Sequence, residues 1–431
     1  MTKNKKVKAG FWVPSLYFSM GVPISIVTVV SAIMYKNLGV SNTEIALHTG
    51  LMYLPWAIKP LWAPLVDVYK TKRFFVLFTQ FAAAVMLGCV AISLPLDSFM
   101  PFTLAFFWII GFLSSTHDIA ADGVYISNLN KVDQAKWIGA QGIFWSGAKV
   151  LSAGVLVSFT GYLHDAKAFT WVESWMFVMI VLGLLMLVLA VWHIKFLPNK
   201  EEEIKKTESN ENLLTSYADV FKNLMQKKNI VMMLLFAFFY RFGEGFIEKI
   251  GPLFMLDSLE TGGLGINNID LGYINGTYGT VSFIVGAFLG GIFASKIGLK
   301  RSLFIMCLAL NVPNLTYVYL SYFQPESIEF ISWIVVLEKF GYGIGSVGNM
   351  LYMMQQIAPG KYKTAHYALA SGLYGLCMML TGAVSGLIQE SVGYQSYFMI
   401  AMFAAIPSFV FTWLAPFNDI PENESIQLKE N

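Results

Sequence analysis

The stretch Ala63-Pro-Leu-Val-Asp67-Val-Tyr-Lys70-Thr-Lys72-Arg73 returns, altered, as Gly291-Ile-Phe-Ala-Ser295-Lys-Ile-Gly298-Leu-Lys300-Arg301. A shift of 228 residues superimposes Asp67 on Ser295, Lys72 on Lys300 and Arg73 on Arg301. Each stretch is a short basic break between the second and third long apolar runs of its half of the chain. Such a break at the same place in both halves implies a duplicated membrane unit, with a site held between the copies.

Working outward, twelve apolar runs are long enough to span a bilayer, which takes about 20 residues. They are 10–35, 44–64, 73–95, 100–125, 136–161, 171–197, 229–257, 268–295, 302–322, 330–354, 363–388 and 394–415. Of the 431 residues, 56% are hydrophobic and 13% charged, against about a quarter charged in soluble domains. A soluble core could not hide that much apolar surface. The first run exceeds a cleavable leader and lacks its small-residue cleavage site, so it reads as an uncleaved first helix. With both termini in the cytoplasm, Lys36 and Lys167 are the only basic residues in the opposite loops. That asymmetry fixes the orientation. The net charge of +2 carries little information, and nothing points to nucleic acid. Cys89, Cys307 and Cys377 are isolated in apolar runs. They make no disulfide framework or metal site. No nucleophile–base constellation is present, so an enzyme is not expected, nor any cofactor.

Charges inside the apolar runs are costly and point to function. Lys59, Asp118, Asp122, Lys149, Arg241, Glu244, Glu248, Lys249, Glu338 and Lys339 lie there, five basic and five acidic. Arg241, Glu244 and Glu248 follow i, i+3, i+7 and share a helix face. Arg241 either pairs with Glu244 or serves as an anion or polyol ligand beside a protonatable acid. Asp118 and Asp122, one turn apart, cannot easily both ionise; the alternative is that they anchor a helix end. His117 beside them reads as solvated or as a proton relay. Lys149 either neutralises a carboxylate or binds an anionic substrate, and Lys59 either serves the same site or snorkels. Glu338 and Lys339 are adjacent, which points them at different partners. Gly343-Ile-Gly-Ser-Val-Gly348 mimics a dinucleotide fingerprint but has no strand before it, so it reads as helix packing.

Both repeated loops resemble the signature of the major facilitator superfamily between its second and third helices. Leu54-Pro-Trp-Ala-Ile-Lys59-Pro-Leu-Trp62-Ala-Pro-Leu-Val-Asp67 and Ser115-Thr-His-Asp118-Ile-Ala-Ala-Asp122 resemble the branch containing peptide and acetyl-coenzyme-A transporters and AmpG-type muropeptide permeases. The resemblance implies an all-α membrane protein with the major facilitator fold and 12 transmembrane helices in two six-helix halves. The halves would be residues 1–197 and 229–415, joined by a solvated cytoplasmic linker 198–228 and followed by a cytoplasmic tail 416–431. It implies a monomeric, multi-pass carrier in a bacterial inner membrane, importing amino sugars or muropeptides with protons. Helices 1, 4, 7 and 10 would line the cavity. Lys59, Asp118 and Asp122 carry over by motif position and Lys149 more loosely. Arg241, Glu244, Glu248, Glu338 and Lys339 complete the expected binding and proton-coupling set. Asp67, Lys72, Arg73, Lys300 and Arg301 are the expected gating set. AmpG-type proteins often carry two further C-terminal helices, for which this chain shows no run. A carrier of siderophores or acyl-coenzyme A, and a sugar receptor that does not transport, are the rival readings.

Overall fold

The computed structural model describes residues 7–63, 66, 70–129, 131–198, 213–360 and 362–417. Asp67 and most of the expected linker and tail lie outside them.

Every element is helical. In chain order these are α1 (Ala9–Asn37), α2 (Asn42–Leu51), α3 (Lys72–Ser93), α4 (Phe99–Asn128), α5 (Ala140–Lys167) and α6 (Trp171–Phe196). Then come α7 (Leu213–Met225), α8 (Ile230–Leu256), α9 (Asn268–Ile297), α10 (Leu299–Phe323), α11 (Ile328–Ile357), α12 (Lys363–Ala404) and α13 (Ile406–Trp413). Among the described residues, 10 helical runs are long and apolar enough to cross a membrane.

Two places explain why that number differs from the runs read in the sequence. The second run is broken into α2 and two short helices, Leu54–Ile58 and Lys59–Leu61. Pro55 and Pro60 sit at the starts of these pieces and lack the N–H that would bond back into a continuous helix. The last crossing-length run, Ala365–Trp413, is 49 residues long and is not one rod. Gly393 interrupts it at φ 76°, ψ 168°, a conformation that side chains resist.

The outer surface suits lipid. Ile92, Phe288, Trp333 and Trp413 all stand exposed. Inside, α2 crosses α12 and α5 crosses α9 at glycines. A Cβ on Gly50 would stand 2.5 Å from the Ala383 backbone nitrogen, and one on Gly154 would stand 2.5 Å from Thr277 Oγ1. Small residues therefore bring the N-terminal and C-terminal helices to backbone contact.

At one end these helices are also sealed by polar groups. Lys36 Nζ lies 2.5 Å from Asp257 Oδ1. Asn42 Nδ2 donates to Asp257 Oδ2 at 3.0 Å, and the Tyr394 hydroxyl donates to the same oxygen. Thr43 Oγ1 donates to Glu390 Oε2 at 2.6 Å. Asn37 and Asn268 exchange bonds of 3.1 and 2.6 Å.

The linker was expected to be solvated throughout, but α7 forms within it. Its Leu213, Leu214, Tyr217, Val220, Phe221 and Leu224 recur at helical spacing. Leu224 is buried in a cluster with Ile230 and Met233, and His366 Nε2 lies 3.2 Å from the Val220 carbonyl.

Candidate substrate cavity

Inside the polar seal is a cavity of about 520 Å³. Its wall comes from α1, α5, α8, α9, α11, α12 and the broken stretch after α2. The α4 acids are not part of it, contrary to the expected lining by helices 1, 4, 7 and 10 of the family pattern.

The wall's charge is uneven. Lys59, Lys149, Arg241, Lys249 and Lys339 line it, with Glu248 as the sole carboxylate among its described residues. Of the remaining acids of the expected set, Glu244 and Glu338 are fully buried behind the wall, Asp118 is half-buried and Asp122 is exposed. Tyr53, Trp56, Trp145, Tyr342 and Tyr374 supply aromatic faces.

Arg241 sits where α8 breaks, between the helical stretches Ile230–Phe239 and Phe242–Leu256. Its own backbone has left the helix, at φ −112°, ψ 22°. The break ends the simple i, i+3, i+7 face, and of the two readings of Arg241 the ion pair with Glu244 does not form. The guanidinium is held between the rings of Tyr342 and Tyr374, 4.5 Å from each centroid. It also donates to the Tyr342 hydroxyl. Glu244 instead accepts from Asn314 Nδ2 at 3.2 Å, and its other oxygen meets no donor among the described residues.

Glu248 receives the Tyr53 hydroxyl at 3.3 Å and the Tyr342 hydroxyl at 3.5 Å. Tyr53 follows α2 and Tyr342 is on α11, so this carboxylate joins the two sets of helices. Lys149 lies 4.5 Å from the Trp145 ring centroid and makes no ion pair with a described carboxylate.

Glu338 and Lys339 do not point apart as adjacent residues were expected to. Lys339 Nζ folds back to 3.1 Å from Glu338 Oε2. The long lysine stem allows this while its side chain still lines the cavity, and Glu338 stays fully buried. Lys59 is not merely snorkelling either. It lines the cavity and lies 4.0 Å from Asp118 Oδ2, which also accepts from Trp56 Nε1 at 3.1 Å. Asp122 accepts from the Tyr17 hydroxyl at 2.9 Å.

His117 is buried rather than solvated. It belongs to a polar chain that sequence spacing did not suggest. Gln80 Nε2 donates to His117 Nε2 at 3.1 Å, Gln80 Oε1 accepts from His193 Nδ1 at 3.0 Å, and His193 Nε2 meets Ser15 Oγ at 2.9 Å.

The described members of the gating set fall in different surroundings. Arg73 donates to the Ile194 and Leu197 carbonyls at 2.5 and 2.9 Å, closing the free end of α6. Lys72 lies across Gly123 of α4. Lys300 and Arg301 are exposed in the first turn of α10. The structure does not gather these four into one cluster.

A family model described as Major Facilitator Superfamily matches residues 15–384. The chain belongs to the Major Facilitator Superfamily. As a member it is a multi-pass membrane transport protein and not an enzyme. It is 24% identical over 403 residues to a putative transporter AmpG 4 of Rickettsia conorii, covering 90% of this chain and 92% of that one. It is 20% identical over 402 residues to the anhydromuropeptide permease of Escherichia coli K12, covering 92% of this chain and 77% of that one. This superfamily member also superimposes on solved transporters. The D-xylose–proton symporter gives a TM-score of 0.71 at 13% identity, covering 94% of this chain and 97% of that one. The nucleoside transporter NupG gives 0.70 at 15% identity, covering 94% and 99%.

Proposed function

We propose that the protein is a proton-coupled importer of acidic amino sugars or muropeptides, working by alternating access in a bacterial inner membrane. The observation that carries this reading is the wall, where five cations face a single carboxylate. Lys339 and Lys59 have Glu338 and Asp118 beside them, but a neutral sugar or nucleoside would leave Lys149, Arg241 and Lys249 to share Glu248 among the described wall residues. A sugar acid carrying N-acetyl groups matches them and also offers polar edges and apolar faces to the tyrosines and tryptophans. The likeness to proteins named AmpG and anhydromuropeptide permease supports the same class.

In this reading the chain crosses the bilayer twelve times with both termini cytoplasmic. The split at Gly393 and the broken stretch 42–61 supply the two crossings beyond the continuous runs. The halves are residues 1–197 and 229–415, with 198–228 as linker and 416–431 as tail. The sealed end then faces the periplasm. Arg241 and Lys149 bind the substrate's acid. A proton taken by one of Glu248, Glu244, Asp118 or Asp122 removes a buried charge and lets the loaded carrier reorient; its release on the cytoplasmic side resets the cycle. Arg73 keeps α3 and α6 moving as one body.

Uptake of labelled N-acetylmuramic acid and of N-acetylglucosaminyl-anhydro-N-acetylmuramic acid into right-side-out vesicles tests the reading. Accumulation should require an inward proton gradient, collapse with a protonophore, and lose its gradient dependence in Glu248→Gln or Glu244→Gln. Uptake indifferent to the gradient would refute coupling. No uptake of either sugar would refute the substrate class.

A further inference from the structure

Lys249 was recognised in the sequence only as one of ten charges inside the apolar runs. In the structure its side chain is built into the cavity wall. It runs from α8 past Gly382 of α12, where a Cβ would stand 3.3 Å from Lys249 Cε. Its ammonium donates to Thr49 Oγ1 at 2.9 Å and to the Thr28 carbonyl at 3.4 Å. Thr28 lies in the π-helical turn Ile26–Val30, one turn after Pro23. The Thr49 hydroxyl already donates to the Ile45 carbonyl at 2.6 Å, so it can only accept from Lys249. An ammonium has three donors; two of them meet neutral oxygens, and Lys249 makes no ion pair with a described carboxylate.

Arg241 is also held in this wall, and two tyrosines link Glu248 to both cations. Tyr342 carries the Arg241 side: its ring stacks on the guanidinium and its hydroxyl reaches Glu248. Tyr53 carries the Lys249 side: its ring centroid is 6.0 Å from Nζ and its hydroxyl reaches Glu248. One acid group cannot serve both cations without meeting the Glu248 carboxylate.

We propose that the cavity takes a ligand with two acid groups, one at Arg241 and one at Lys249, separated by a hydrogen-bond donor that faces Glu248. The inference rests on the cavity being the transport site, and it narrows the substrate from a one-acid sugar to a peptide-bearing or otherwise dianionic one. A hydroxyl, amide N–H or ammonium between the acids satisfies the central requirement.

The test uses matched pairs that differ by one charge. N-acetylmuramyl-L-alanyl-D-glutamate has two carboxylates and its D-isoglutamine analogue has one. 3-Hydroxyglutarate and its monoamide form a second pair without sugar, with the hydroxyl as the donor between the acids. Binding of all four to the full-length protein in lipid nanodiscs is measured by calorimetry. In each pair the diacid should bind roughly tenfold or more tightly, the scale of one charge-assisted hydrogen bond. Lys249→Gln should collapse that ratio, and Lys249→Arg should keep most of it. Gly382→Ala, which crowds the lysine stem, should lower it while leaving Lys249 present. Equal affinity within both pairs overturns the inference, as does a Lys249→Gln variant that weakens diacid and monoamide alike. Failure of both muramyl peptides alongside a retained 3-hydroxyglutarate preference would refute the sugar class and leave the two-acid site standing. Binding by none of the four overturns both.

Discussion

At the residue scale, the cavity depends on what each charge is held against. Arg241 stacks between two tyrosine rings and donates to one of their hydroxyls. A planar guanidinium can do both at once, and a lysine ammonium cannot. Arg241→Lys is therefore expected to weaken binding of the acidic substrate by about tenfold or more, despite the retained charge, as read by calorimetry. All ten charges inside the apolar runs could be found in the sequence, because an ionisable residue there stands out. Their partners could not. Lys339 reaches its own neighbour Glu338 rather than a distant acid, and Glu244 finds Asn314, a neutral residue seventy positions away. Nor did the sequence separate Glu248, in the wall, from Glu244, behind it. That separation follows from the break at Arg241, in a run with no proline beside it to announce the break.

At the element scale, apolar length located the helices well, to within a few residues in most cases, because bilayer thickness dictates the length. Their interruptions were partly legible. The runs 363–388 and 394–415 were already separated around Gly393, where the structure turns, whereas 44–64 was read as one run although Pro55 and Pro60 break it. Other glycines merely pack. Gly154 belongs to the packing kind, lying directly against Gly276 and Thr277. Leucine there would wedge α5 from α9 at the level of the cavity. Gly154→Leu is expected to favour the state open on the sealed side. A Gly154→Leu/Ala32→Cys protein should then react faster with a membrane-impermeant thiol reagent applied from the periplasmic side. Cys307 and Cys377 are buried, which limits background labelling. An unchanged labelling rate would count against the wedge.

At the scale of the whole molecule, the repeat of the basic loop announced two related halves, and the fold of the superfamily is consistent with it. What the repeat could not give is the seal: Lys36 and Asp257 stand at the ends of α1 and α8, the first long helix of each half, but they are unlike residues outside the repeated loop. Both side chains are 17% exposed. Removing one partner strands the other in a largely desolvated place, and such losses are substantial. Lys36→Gln and Asp257→Asn should each shift the population toward the periplasm-open state by roughly tenfold or more. The exchange Lys36→Asp with Asp257→Lys should recover part of the shift. Labelling of Ala32→Cys again reports the outcome, and identical behaviour of the single and exchanged variants would exclude the latch.

The glycine crossings also bear on speed. Where α5 meets α9, Ala153 and Gly154 face Gly276 across nearly bare backbone. Interlocked side chains would have to surrender and regain their rotamer order each time such a surface parted and closed, at a cost of up to about 2 kcal/mol for each long one. Glycine and alanine have almost no such order to lose. In the proposed cycle, the surface that separates at this crossing thus has little side-chain entropy at stake. The slow step of turnover should lie elsewhere, in breaking the polar contacts around Asp257 or in letting the substrate go.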